Sequence, residues 1–386
     1  MPEAVIKYEL KPRVEVKADK RKEVMNYGDD NMYPTRMERL INGSVTAKQC
    51  ANMYSRFLTG GGFVDASLND IVVGKDITGY KDITAVDLLT SISNQLAYYG
   101  GVWIYRGLNG EYDTSNLRVL DFKNVRFGKM DSSDYAGKII YYDNWDKSKE
   151  GKIKSDDFIK YYAYNTNKDV IKAQADDAGG FRHYKGQVTF LFLDNTYIYP
   201  ISPIDVVQHD ADTENMIQLF KNGELRRGFF AKYILTYTKF ESEQAKKEFF
   251  RNLQTFQGAE NGGSILVNEG AFVDNNGRIA SPFTINKVEQ NINSDIFEQY
   301  EDSVSNNIRK SFNNIPPVLI DYQEGKLSGT SGESIVQATQ FYNSQTARDR
   351  KAISGLFRRL MSTWKDKSLR NKNWDIIPLK LYDDVN

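Results

Sequence analysis

The chain predicts an α+β fold in which helices and strands occupy separate stretches, and three observations carry that expectation. Residues 35–100 and 203–364 place apolar side chains at helical spacing behind recognisable cap and stop signals. Residues 102–199 instead alternate short aromatic and β-branched runs with turn residues, the signature of a sheet. Between 226 and 288 the pattern reads strand, helix, strand, strand, a small αβ unit set between two long helices.

In chain order, the first thirty residues are charged and aperiodic and read as an arm. Thr35 and Glu38 have capping-box spacing and predict one helix through Met37, Leu40, Ile41, Val45, Ala51, Tyr54 and Leu58, stopped by Gly60. Thr84 and Asp87 repeat that signal for a helix carrying Leu88, Leu89, Ile92, Leu96 and Tyr99, ended by Gly100. Strands are then expected at 102–105, 117–122, 138–142, 158–164, 187–193 and 196–199, with polar loops at 147–156 and 165–180. Asn109-Gly110 signals a hairpin. Ser202-Pro203 opens a helix, since serine suits the cap and proline the first turn, and the stop is expected near Asn222-Gly223.

The small unit follows: a strand at 229–236, a helix capped by Thr238, and strands at 263–267 and 283–288. Ile296, Tyr300, Val304, Ile308 and Phe312 recur every four residues and lay one apolar stripe along the next helix, which Pro316-Pro317 terminates. A Gly/Ser-rich loop occupies 321–332, and Thr330 and Glu333 cap a final long helix with Ile353, Leu356, Phe357, Leu360, Met361 and Trp364. From 348 to 372 the sequence holds nine Lys/Arg against two Asp.

Composition narrows the function. At 386 residues the length suits two or three folding units, and 40% apolar with 26% charged residues excludes wholesale disorder. A single cysteine excludes an internal disulfide framework and any four-cysteine zinc site. No run of about 18 apolar residues predicts a membrane span, and the opening residues hold no apolar signal core, so a reducing cytosolic origin is expected. Lys+Arg and Asp+Glu balance at 51 each, which argues against a protein that coats nucleic acid through a basic surface. Aromatics at 13%, 24 of them Tyr, suit either an extensive assembly interface or a Tyr-rich sheet face.

A catalytic constellation is not apparent. His183 lies between glycines and reads as a turn residue. His209, Asp210, Asp212 and Glu214 have the composition of a metal cluster, yet on a helix they fan around more than half the circumference. Cys50 falls inside a predicted helix as packing. Ser328-Gly-Thr-Ser-Gly-Glu333 lacks both the P-loop ending and the spacing of a nucleophile elbow. No cofactor or metal is expected.

The order of motifs from 199 to 364 resembles the portal (head–tail connector) proteins of tailed bacteriophages. Tyr199-Pro-Ile-Ser-Pro-Ile-Asp205 starts a helix ending in Lys221-Asn-Gly223; then come Ser242-Glu-Gln-Ala-Lys-Lys247 and Gly263-Ser-Ile-Leu-Val-Asn-Glu-Gly270. Ile308-Arg-Lys-Ser-Phe-Asn-Asn-Ile-Pro-Pro317 closes the series before the glycine-rich loop, and Leu120-Asp121-Phe122 resembles a segment of the family's wing.

The resemblance implies a portal-type α+β fold: an arm and β-rich wing at 1–201, a first stem helix at 202–225, an αβ clip at 226–288 and a second stem helix at 289–314. A tunnel loop at 315–332, a long wing- or crown-side helix at 333–364 and a short tail at 365–386 complete it. It implies no enzyme. The function implied is a ring, usually of twelve subunits, at one capsid vertex, through which double-stranded DNA is packaged and ejected without sequence specificity. Expected partners are the terminase large subunit, a head–tail adaptor, and the major capsid and scaffolding proteins, with assembly in the host bacterial cytoplasm and residence in the virion. No membrane is involved.

On the same resemblance, Tyr322, Gln323, Glu324, Gly325, Lys326, Leu327, Ser328, Gly329 and Thr330 line the channel. Arg226, Arg227, Lys246, Lys247 and Arg251 meet the motor or adaptor. Ile296, Tyr300, Val304, Ile308 and Phe312 pack the stem, and Arg348, Arg350, Lys351, Arg358 and Arg359 are candidate contacts to DNA or a partner. The alternatives are another phage head or tail assembly component, or a hydrolase using Asp/Glu pairs.

Overall fold

The computed structural model describes residues 24–132, 134–146, 157–194, 196–227, 233–237, 240, 242–257, 265–269, 283–287, 294–320 and 331–381. The chain divides into two compact units, one of residues 1–211 with 305–386 and one of residues 212–304. Helix and sheet are both well represented, as an α+β fold requires.

In the larger unit the first predicted helix is two. α1 (Tyr33–Gly43) and α2 (Val45–Thr59) are separated at Ser44, whose extended backbone frees its hydroxyl to accept from the Ala47 N–H at 3.0 Å. Thr35 therefore lies inside α1, which begins on Pro34 without a side-chain cap. Gly60, at φ 58°, ends α2 as expected; a Cβ there would meet the Ile377 carbonyl at 2.0 Å, so no other residue fits.

β1 (Val72–Lys75) and β2 (Asp82–Thr84) form a hairpin that the sequence reading passed over. Next, α3 (Ala85–Tyr99) opens on the complete capping box of Thr84 and Asp87 and closes on left-handed Gly100. Thr84→Ala is expected to cost about 1 kcal/mol of unfolding free energy, read as a shift of the urea midpoint. Thr35→Ala should leave that midpoint in place, because Thr35 caps nothing; equal losses at the two sites would contradict these helix starts.

A six-stranded sheet follows, built from β3 (Gly101–Leu108), β4 (Thr114–Val119), β5 (Val125–Phe127), β6 (Lys138–Tyr141), β7 (Ile159–Ala163) and β8 (Gln187–Phe192). Its order is β4-β3-β8-β7-β6-β5, antiparallel except between β7 and β8. That parallel pair needs a crossover, and α4 (Lys168–Asp177) supplies it where the sequence suggested a polar loop. Only Ile171 and Ala175 of α4 are buried, too few to register as a period. The hairpin after β3 turns through left-handed Tyr112 at φ 65°, with Asn109 Oδ1 accepting from the N–H groups of Glu111 and Asp113. The predicted strand at 196–199 is absent: Tyr199 turns inward, stacked on Tyr27 at 4.3 Å.

After the Ser202-Pro203 turn, α5 (Gln208–Arg227) runs beyond the expected stop at Gly223. The Ser202 hydroxyl does not cap it and instead donates to the Tyr98 carbonyl at 2.5 Å. In the smaller unit β9 (Tyr233–Tyr237), α6 (Glu243–Gln257) and β10 (Ile265–Glu269) make a β-α-β crossover with parallel strands, and β11 (Phe283–Lys287) adds antiparallel to β9. Ser242, whose hydroxyl accepts from the Ala245 N–H at 3.2 Å, caps α6; Thr238 lies outside the described residues.

α7 (Ser294–Ser311) carries the four-residue stripe, and two left-handed asparagines, Asn313 and Asn314, turn the chain before the prolines. The final helix is again two, α8 (Ser331–Gln345) and α9 (Ala347–Met361), divided at Thr346, whose hydroxyl donates back to the Tyr342 carbonyl. The stretch read as a short tail adds two side chains to the core: Trp374 is fully buried, and Ile376, also buried, bridges Phe63 in antiparallel fashion.

Candidate functional site

Three arginines are taken out of water within the larger unit, and they decide which cations remain for a partner. Arg126, on β5, is held by neutral oxygens: its Nε donates to Asn31 Oδ1 at 2.5 Å, and its terminal nitrogens donate to the carbonyls of Asn31, Lys123 and Val125. Tyr27 and Trp145 offer ring faces at 5.7 and 5.2 Å. Burial pushes its pKa down to about 10. Its consequence is an anchor. Val24 bridges Gly128, the Met25 N–H donates to the Phe127 carbonyl, and Tyr27 is buried, so residues 24–31, read in the sequence as part of an arm, are core. The sequence signal was Val24 and Tyr27 standing among charged neighbours.

Arg106 on β3 is likewise buried, donating to Thr114 Oγ1, Gln187 Oε1, the Asn165 carbonyl and Thr363 Oγ1. Arg350 on α9 is the third, and it corrects an expectation. It is 5% exposed and donates to the carbonyls of Phe57 and Asn343 and to Thr346 Oγ1, so it joins α9 to α2 and has no reach to DNA or a partner.

The other members of the basic stretch divide by partner. Arg358 pairs with Asp375 at 3.4 Å, and Arg359 reaches Thr189 Oγ1 and the ring of Tyr164. Arg370 pairs with Asp113 at 3.0 Å and Lys372 with Asp65 at 3.7 Å. Arg348 and Lys351 are exposed without an intrachain partner among the described residues. They stand one turn apart on the outer face of α9, opposite the buried Ile353, Leu356, Phe357 and Leu360. Three of the nine cations counted at 348–372 thus meet a carboxylate, and on α9 Arg348 and Lys351 are exposed with no partner among the described residues.

Val304 and Ile308 on α7 and Phe312 just past its end are buried, whereas Tyr300 is 58% exposed. Of Ile296 only its place on α7 is described. The larger unit holds an Asn307–Asp210 hydrogen bond at 3.4 Å, and the smaller unit an ion pair between Lys221 and Glu301. On α6, Lys247 and Arg251 are exposed four residues apart on one face, while Lys246 is half-buried. Arg226 and Arg227 form the last turn of α5, their side chains beyond description. Tyr322, Gln323, Glu324, Gly325, Lys326, Leu327, Ser328, Gly329 and Thr330 all lie outside the described residues.

Among the described residues, no three His, Cys, Asp or Glu side chains gather as metal ligands. His183 is exposed in a turn on Gly180, His209 is exposed on α5, and Cys50 is buried on α2. No described helix is long and apolar enough to cross a membrane.

No protein-family model matches the chain, and no curated protein matches it in sequence. Solved structures do. The chain is similar to one in the virion of a native gene transfer agent particle, with a TM-score of 0.52 and 12% identity over 86% of this chain and 81% of that one. A chain from the neck of the empty particle, computed with C6 symmetry, gives 0.52 and 13% over 91% and 85%. An HK97-family phage portal protein from Corynebacterium diphtheriae gives 0.39 and 10% over 77% and 82%, too distant to add weight. At 12–13% identity the likeness shows a shared fold, that of the gene transfer agent chains.

Proposed function

We propose that this protein is a portal subunit: a non-catalytic component that assembles as a closed ring at one capsid vertex and forms the channel for genome packaging and ejection. The observation that carries the reading is the fold likeness to a neck chain over 91% of the sequence, in a particle computed with six-fold symmetry. A closed cyclic ring joins unlike surfaces of successive copies. Exposed Tyr300, Met216 and Leu219 are apolar groups of a kind such an interface covers.

In this reading 321–332 is the channel loop. Its two acidic residues, Asp321 and Glu324, against one basic, Lys326, suit a passage through which phosphates must slide rather than stick. Arg348 and Lys351 meet DNA or an acidic partner, and Lys247 and Arg251 present the clip to the terminase large subunit and later to the head–tail adaptor. The capsid and scaffolding proteins surround the ring, which is assembled in the bacterial cytoplasm and carried in the virion.

Light scattering on the purified protein tests this reading. Twelve copies of 44.2 kDa should elute as a particle of about 530 kDa with a central hole in negative stain. A monomer or dimer at high protein concentration, or a closed particle without a hole, would end the portal reading.

A further inference from the structure

An apolar groove in the larger unit has no occupant among the described residues. Val336, Thr339 and Gln340 of α8 form one wall, and Ile377, Leu379 and Leu381 of the non-helical segment after α9 form the other, lining about 360 Å³. Val336 is 38% exposed there. That segment is pinned by Ile377, which exchanges backbone hydrogen bonds with Gly61 and Gly62, and by the Leu379 carbonyl, which accepts from Asn343 Nδ2 at 2.8 Å. Beyond these contacts, among the described residues, the N–H groups of Leu379, Lys380 and Leu381 have no acceptor. An apolar trough beside backbone N–H groups that lack an acceptor among the described residues offers an added strand both pairing and burial.

The chain itself carries a segment of matching pattern. From 6 to 18 every even position is apolar (Ile6, Tyr8, Leu10, Pro12, Val14, Val16, Ala18) and every odd position is charged, a strict period of two that an aperiodic reading of the arm overlooks. Such alternation specifies a strand with one buried face. Pro12 removes one donor, which suits a strand paired on one side only. Residues 1–23 precede the fixed point at Val24, and 23 residues extended span about 75 Å, enough to reach a neighbouring molecule.

We propose that residues 6–18 of one copy lie as an added strand in the α8 groove of a second copy, with the even-numbered side chains in the trough. The assignment of the groove to a second copy rests on the ring reading. The arm then acts as a strap: it joins successive subunits through backbone pairing, independently of the contacts made by α5 and α7.

Cysteine cross-linking tests it on the full chain. The single native cysteine, Cys50, is fully buried and leaves a silent background. Leu379→Cys is combined in turn with Ile6→Cys, Tyr8→Cys or Leu10→Cys, and separately with Lys7→Cys, Glu9→Cys or Lys11→Cys, then oxidised and run without reductant. At least one even-numbered pair is expected to give a ladder of covalent oligomers, with yields about tenfold above every odd-numbered pair because a one-residue shift reverses the face. Cross-links confined to single chains, equal yields at odd and even positions, or no cross-link at all would each overturn the strap. Light scattering on the same samples separates the two readings: a ring without a ladder removes only the strap, whereas a solitary chain removes the ring.

Discussion

Ile308→Asp is expected to unfold the larger unit and not merely to weaken an assembly. Ile308 is fully buried in the single chain, and Phe312, one turn on, is 1% exposed, touches Tyr54 edge-on at 6.3 Å and accepts the Tyr342 hydroxyl on its carbonyl at 2.8 Å. A carboxylate placed there meets no donor and must either stay ionised out of water or take up a proton. Either outcome destabilises by roughly 4 kcal/mol or more, among the largest effects a single substitution produces. Tyr300→Asp, on the same stripe but 58% exposed, should change the free energy of unfolding by no more than about 0.5 kcal/mol and, in the proposed ring, act on assembly alone. Thermal melts of the two variants against the parent measure the contrast. An Ile308→Asp protein that melts within a degree or two of the parent would show that α7 does not pack as described.

Removal of residues 365–386, read from the sequence as a short tail, should be as damaging. Trp374 is fully buried, meets Phe63 edge-on at 5.1 Å and stacks on Phe357 at 5.9 Å. Losing such a tryptophan costs about 3–5 kcal/mol. The truncation also takes from Asp113, 6% exposed, the nearer of its two cations, Arg370 at 3.0 Å, leaving Lys168 at 3.5 Å, and it uncovers Phe63. The expected result is insoluble expression or loss of the cooperative melt. A truncated protein with the parent's melting curve would refute this account of the C-terminal segment. Trp374→Ala provides a milder version, expected to lower the melting temperature while leaving soluble protein to measure.

Local devices were legible because their physics is local. The Thr84–Asp87 capping box, the left-handed stop at Gly100, the proline start at Pro203 and the glycine stop at Gly60 each involve a few consecutive residues, and each stands where the sequence put it. Breaks inside a continuing apolar period were not legible. At Ser44 and Thr346 the buried stripe resumes within a turn, so period alone joins α1 to α2 and α8 to α9. The hydroxyl bonds at those two residues reveal the division only once the backbone is known.

The candidate contacts divide on the same ground. That 348–359 forms a basic helix face could be read from spacing; that Arg350 faces inward, bonded to the Phe57 and Asn343 carbonyls, could not, because those oxygens arrive from distant or non-repeating backbone.

By itself, then, the sequence determined the α+β class, the β-rich stretch, the αβ insert between two long helices and the balance of charge, since all of these follow from period, caps and composition. Only the tertiary structure decided which cations face solvent, that Val24, Tyr27, Trp364, Trp374 and Ile376 belong to the core, and that Tyr300 is exposed while Ile308 is not. Burial and ion pairing are properties of residues far apart in the chain meeting in space, as Phe63 meets Trp374 and Arg126 meets Asn31, and no local pattern encodes such a meeting.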